Sequence, residues 1–159
     1  MKKLTHVDEQ GKAKMVDITE KPSTVREAKA KASVYMKPDT MQLIIDRKIP
    51  KGDVLCVAKI AGIMGAKNTA SLIPMCHPLN ITSIDINFEL DEINNKIDVI
   101  SDVKIIGKTG VEIESLIAVT ISALTIYDMC KAVDKEMTIS DIMLLEKKGG
   151  KSGTFKRNG

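Results

Sequence analysis

The sequence predicts an α+β domain in which an antiparallel sheet carries its helices on one face. Three observations lead there. Apolar and polar residues alternate with period two in four separate segments, the pattern of strands with one buried face. Two longer apolar stretches follow helix-start signals and run too long for strands. The chain has 159 residues, 43% of them apolar and only 3% aromatic, which suits one core filled by Ile, Leu, Val, Ala and Met. We therefore expect a single domain over residues 1–159, with a flexible N-terminal arm over about 1–18 and a basic C-terminal tail over about 149–159.

Residues 4–18 are polar, with Gly11 offering a turn, and read as a loosely held arm or hairpin. From Thr24 to Met36, Arg26, Ala28, Ala30, Ala32, Val34 and Met36 share one side, while Glu27, Lys29, Lys31, Ser33 and Tyr35 share the other. The many Ala and Lys residues would suit a helix, but alternation outweighs propensity, so this is the first strand. Pro38-Asp39-Thr40 is a helix start leading into Met41 to Arg47. Asp53 is placed to cap a second helix, Val54 to about Ser71, which Pro74 and Pro78 keep from continuing. Gly62 and Gly65 lie on one face of it. Each weakens a helix by about 1 kcal/mol relative to Ala, so the close approach of another backbone is expected there.

Asn80 to Leu90 and Lys96 to Ile106 form a hairpin through Asn94-Asn95, with Ile84, Ile86, Phe88 and Leu90 alternating against Ser83, Asp85, Asn87 and Glu89. Thr109 followed by Glu112 fits a capping box that opens a long helix to about Val133. Leu116 to Ile126 is apolar on almost every face, more than a helix resting on one sheet needs, and a subunit interface is the economical explanation. Met137 to Glu146 alternates again as the last strand, and Gly149-Gly150-Lys151-Ser152-Gly153 follows as a flexible end. Strand, helical segment, strand, strand, helix, strand is the ferredoxin-like βαββαβ pattern. That architecture hosts RNA binders, regulatory modules and enzymes alike, so function has to come from particular residues.

Composition removes several classes. The formal charge is +3, and the basic excess sits at the end, where Lys147, Lys148, Lys151, Lys156 and Arg157 follow the last acid, Glu146. Such a tail either contacts an anion or is simply a solvated terminus. Lys2 and Lys3 are followed by no apolar run of the secretory kind. The stretch Leu116 to Tyr127 falls short of the roughly 20 residues that span a bilayer, so a soluble protein is expected. Cys56, Cys76 and Cys130 are odd in number and far apart, which speaks against a disulfide framework and a zinc site and for the reducing cytoplasm.

Gly107-Lys108-Thr109 suggests a phosphate-binding loop, but that motif needs a glycine where Asp102 stands. Lys108 beside a helix N-terminus is left with two readings, an anion site or plain capping. His77 sits in Pro74-Met75-Cys76-His77-Pro78, where the prolines hold it in a loop, and because histidine is the side-chain type suited to proton exchange near neutrality a functional role is favoured over a structural one. His6, in the polar arm, carries no such signal. Asp128 and Lys131 interrupt the end of the apolar helix three residues apart, either as acid and base or as a structural ion pair. Glu112 and Glu114 lie about 200° apart around the helix and cannot both face one pocket through a single ridge of it. Glu112 has capping to do, so Glu114 is the better ligand.

The stretches GDVLCVAKIAGI, LIPMCHPL, GKTGVEIESL, LTIYDMCKAV and GGKSGTFK closely resemble the molybdenum cofactor biosynthesis protein C family, the cyclic pyranopterin monophosphate synthases. The similarity runs from Leu4 to the tail. The resemblance implies a ferredoxin-like subunit, a homohexamer built as a trimer of dimers, and active sites at the dimer interface. It implies conversion of a 3′,8-cyclised dihydroguanosine triphosphate to cyclic pyranopterin monophosphate with release of pyrophosphate. By the same resemblance Asp128, Lys131, Lys51 and His77 are the catalytic group. Met75, Cys76, His77, Ile113 and Glu114 are substrate contacts, joined by Glu112, Arg26, Lys67 and Lys147.

Proton transfers and a phosphoryl displacement need acids, bases and cations but no hydride carrier, so no resident metal or redox cofactor is expected. Magnesium on the substrate phosphates is compatible with this. An RNA-binding module on the same fold would need aromatic residues on its central strands, and only Tyr35 and Phe88 are offered. A regulatory nucleotide-binding domain gives no reason for Asp128 and Lys131. Neither nucleic acid nor membrane is an expected partner.

Overall fold

The twelve-residue strand β1, Thr24–Tyr35, organises everything else in this computed structural model, which describes residues 5–158. The first four residues of the expected arm and the last residue of the tail lie outside them. Helices α1 (Pro38–Ile45), α2 (Val54–Lys67) and the single turn α3 (Thr69–Leu72) follow β1. Then come the hairpin β2 (Ser83–Asp91) and β3 (Lys96–Gly107), the helix α4 (Glu112–Cys130), and strands β4 (Thr138–Lys148) and β5 (Phe155–Lys156). The sheet order is β2-β3-β1-β4-β5, with every pairing antiparallel. This is the expected α+β, ferredoxin-like arrangement with a fifth strand added at one edge.

The Ala-rich β1 is a strand because its inward face lies under α4. Ala28, Ala30, Ala32 and Val34 are buried, and Ser115 on α4 donates to the Ala28 carbonyl at 3.3 Å. Ser101 on β3 meets the Ser115 hydroxyl at 2.7 Å. Small side chains on both elements let helix and sheet approach closely, and propensity gives way to that packing. The same applies between helices. A Cβ on Gly62 would run into Ser122, Ile86 and the Ala118 carbonyl, and Ser122 donates to the Ala58 carbonyl at 2.8 Å. The backbone approach expected of Gly62 is the one between α2 and α4.

Several boundaries differ from expectation. The second helix ends at Lys67 rather than near Ser71 because Asn68 turns its side chain back onto the Met64 carbonyl at 2.9 Å. Asp53 caps it as expected, accepting from the Cys56 amide at 3.1 Å. The capping box of Thr109 and Glu112 does not form. The residue before α4 is Val111, with no side-chain cap, and the Glu112 carboxylate folds back over Gly110, which has no Cβ to obstruct it. The long helix also stops at Cys130, where the Val133 and Asp134 amides both turn onto the Cys130 carbonyl.

The arm and tail make defined contacts. Val7 pairs with Ala13 in a small hairpin, and Phe155–Lys156 pairs with β4 while Arg157 donates to the Leu144 and Leu145 carbonyls at 2.8 Å each. By length and apolar composition α4 could cross a membrane, but it is a core helix here, with Ala118, Val119, Ala123 and Ile126 wholly buried.

Candidate active site

At the C-terminal end of α4, Asp128 carries two lysines. Lys131, one turn on, reaches its Oδ1 at 2.8 Å, and Lys51 reaches Oδ2 at 3.0 Å. Lys51 comes from the loop between α1 and α2, where Gly52 takes a φ of +106° that other residues rarely adopt. Its ammonium also donates to the Asp128 main-chain carbonyl at 3.0 Å, at the helix end that attracts cations. Hydrogen bonds from Lys131 and then Lys51 hold the Asp128 carboxyl below the usual carboxylate range, and Asp128 pushes the Lys131 ammonium up. The side chains are 44–55% exposed, so the three charges do not form a buried ion pair. The outward face of α4's last turn keeps all three in water, where such pairs add little stability and leave the charges available.

Beneath this cluster lies Asp134, which sequence reasoning did not single out. Its buried carboxylate accepts from the Lys37 amide at 2.9 Å, the Thr40 hydroxyl at 3.1 Å and the Glu136 amide at 3.0 Å. It therefore ties the start of α1 to the loop that follows Lys131. A lone Asp in a polar loop gives no signal of such a role.

The second cluster surrounds the N-terminal end of α4. Met75, Cys76 and His77 in the proline-flanked loop, with Glu112, Ile113 and Glu114, line a pocket of about 590 Å³. Glu112 and Glu114 thus both line it without sharing a ridge of the helix, because the pocket wraps over the helix end rather than one flank. Glu114 is only 3% exposed. Burial pushes its carboxyl up, the Glu112 charge adds to that, and its own amide partly offsets both. Burial and then Glu114 push the Cys76 thiol up, so it lacks the thiolate character of a nucleophile. Lys67 joins His77 and Glu114 along a smaller adjoining cleft of about 120 Å³.

Arg26 and Lys147, expected as further substrate contacts, line neither the pocket nor the adjoining cleft. Arg26 donates to the Gly107 carbonyl at 3.1 Å, close to Gly150 in the tail. Lys147 lies opposite Ala28 across β1 and β4, hence on the sheet face that α4 covers, and it contacts the Ser152 hydroxyl. The arm adds residues with no prior signal: His6, Val16, Asp17, Ile18 and Lys21 line the pocket, and His77 Nε2 donates to the Val16 carbonyl at 2.7 Å. A backbone acceptor has no sequence signature. Among the described residues no group of three or more His, Cys, Asp or Glu is placed to hold a metal.

One chain does not bring the two clusters together. Glu114 and Asp128 sit at opposite ends of α4, about 21 Å apart at about 1.5 Å per residue. The first holds two cations on one carboxylate, and the second is a pocket with a histidine and a buried acid.

Residues 15–150 match the model of the MoaC family. A relative from Thermoanaerobacter pseudethanolicus named cyclic pyranopterin monophosphate synthase is 59% identical over 154 residues, covering 97% of this chain and 98% of its own. Proteins of the same name from Heliobacterium modesticaldum and Clostridium acetobutylicum are 56% and 54% identical over 157 and 156 residues. They cover 99% and 98% of this chain, and 99% and 97% of their own lengths.

Proposed function

Because this chain belongs to the MoaC family, we propose that it is a cyclic pyranopterin monophosphate synthase, a lyase of molybdenum cofactor biosynthesis. Its substrate is the 3′,8-cyclised dihydroguanosine triphosphate, and its products are cyclic pyranopterin monophosphate and pyrophosphate. The observation that carries the reading is Asp128 held between Lys51 and Lys131. The lysines suit the charge that builds on the phosphates and on the pyrophosphate leaving group, and the carboxylate between them accepts protons. His77 and the buried Glu114 suit recognition and proton exchange at the purine-derived end. Any magnesium enters with the substrate phosphates.

The working unit in this reading is a dimer, three of which form a homohexamer. Two observations support the dimer. The catalytic cluster and the pocket are too far apart on one chain to meet on one small molecule. The outward face of the helical layer is also apolar, with Val57, Ile60 and Met64 of α2 and Ile113 and Leu124 of α4 all exposed. A second copy covering that layer would shield the patch and let Lys51, Asp128 and Lys131 of one subunit face the pocket of the other. The compartment is the cytoplasm, where Cys56, Cys76 and Cys130 stay reduced.

Incubating the purified protein with the cyclised triphosphate and measuring pyrophosphate decides the activity. Stoichiometric release with formation of the cyclic monophosphate is expected. Binding without release would instead make the protein a nucleotide sensor.

A further inference from the structure

Lys108 and the N-terminal arm remain without a role in the reading above. Lys108 precedes α4, where an anion site was one of two expectations, yet its ammonium donates to the Thr19 carbonyl at 2.6 Å. Earlier on the arm, the Val16 carbonyl accepts from His77 Nε2 at 2.7 Å. Between these two anchor points the arm is shaped by its own bonds. Thr19 gives its amide and hydroxyl to the Asp17 carboxylate at 2.9 and 2.7 Å, and the Lys21 amide closes a turn on the Ile18 carbonyl at 3.1 Å. Upstream, Asp8 accepts the Gln10 and Lys12 amides at 2.9 Å each and closes the small hairpin. Val16, Asp17 and Lys21 line the same pocket as Glu112 and Glu114.

A carbonyl oxygen only accepts, so the bond at Nε2 requires the proton there. In the neutral ring Nδ1 is then the acceptor, whereas a free imidazole interchanges the two. We propose that the arm is a working part of the site, in which the Val16 carbonyl sets the tautomer of His77 and Lys108, by gripping Thr19, is the positioning residue that keeps that carbonyl in place. This rests on His77 belonging to the active site. Nδ1 is thereby the atom left to take a hydrogen bond or a proton from substrate. If it takes a proton, Nε2–H stays on the Val16 carbonyl and the ring need not turn, so no reorientation accompanies the transfer.

The test is the nitrogen-15 spectrum of the histidine rings in the full-length chain, recorded in alkaline solution, with His77→Gln identifying the His77 signals. A fixed tautomer shows separate protonated and unprotonated nitrogens; an interchanging one shows averaged positions. The native chain should show fixed Nε2–H. Lys108→Met keeps the aliphatic stem but removes the donor, and should give averaged signals with kcat lowered roughly tenfold or more, since small misplacements are costly in catalysis. The fall in kcat should exceed any rise in KM, because Lys108 itself offers no group to the pocket and acts through the ring of His77. Lys108→Arg should restore both. An averaged or Nδ1–H spectrum in the native chain overturns the proposal, and an unchanged fixed tautomer in Lys108→Met overturns the role of Lys108. The spectrum is independent of turnover, so a failure of synthase activity would count against the proposed function alone.

Discussion

Lys51 donates to Asp128 twice, to its carboxylate and to its main-chain carbonyl, each at 3.0 Å, from a loop 77 residues away in sequence. The contact is solvent-exposed, so its purpose is not to hold the fold. Lys51→Ala, Asp128→Asn and Lys131→Ala should each lower pyrophosphate release by roughly a hundredfold or more, the scale on which single electrostatic groups act in catalysis. Their melting temperatures should match the native protein. A large drop in melting temperature with turnover retained would assign the cluster to structure instead.

The separation along α4 gives a complementation experiment. Lys131→Ala and His77→Gln chains should each be inactive alone. Mixed through denaturation and refolding at equal amounts, they should recover about a quarter of native activity, because random pairing makes half the dimers mixed and each mixed dimer has one intact site. No recovery would place both clusters in the service of a site within one chain.

Glu114 provides a signed pH dependence. Its folded-state carboxyl lies above the ordinary value of 4.5, because burial and Glu112 disfavour the charge. Above 4.5 the unfolded chain gives up this proton more readily than the folded one, so the group's contribution to stability is full below that pH and is lost as pH rises through the folded-state value. Glu114→Gln should therefore raise the melting temperature at neutral pH, with the difference closing in acid. A difference that grows as the solution is acidified would contradict the environment described for Glu114.

Gly62→Ala would normally favour a helix. Here the added methyl meets the Ala118 backbone carbonyl at 2.7 Å as well as Ser122 and Ile86, and backbone cannot step aside as a flexible side chain can. Unfolding by urea should show a loss of roughly 1–3 kcal/mol, the range for an overfilled core. A gain in stability would mean that α2 and α4 pack less closely than described.

How much was legible follows from how local each cause is. The alternation of β1 and the hairpin, the Asp53 cap and the punctuation by Pro74 and Pro78 all act within a few residues, so the strand and helix order was readable. The box of Thr109 and Glu112 misled because the motif is a statement of side-chain partners, and Glu112 found room over Gly110 instead. The tail strand β5 was not readable, since two residues carry no usable periodicity. In the site, charge spacing pointed to Asp128 and Lys131, but nothing near Asp134, Val16 or Lys108 announced that each would meet its partner far along the chain.

The sequence by itself determined the α+β architecture, the family and the identities of the charged groups, because these depend on residue type, period and short spacing. Only the tertiary structure decided that Asp128 is shared by two exposed lysines, that Glu114 is buried beside Glu112, and that α4 holds this lysine–carboxylate cluster and the pocket at opposite ends. It also decided that a carbonyl of the arm meets His77. Those facts arise from loop closures and packing between distant segments, and exposure, field and hydrogen-bond partner are set by what comes to lie beside a residue rather than by its neighbours in the chain.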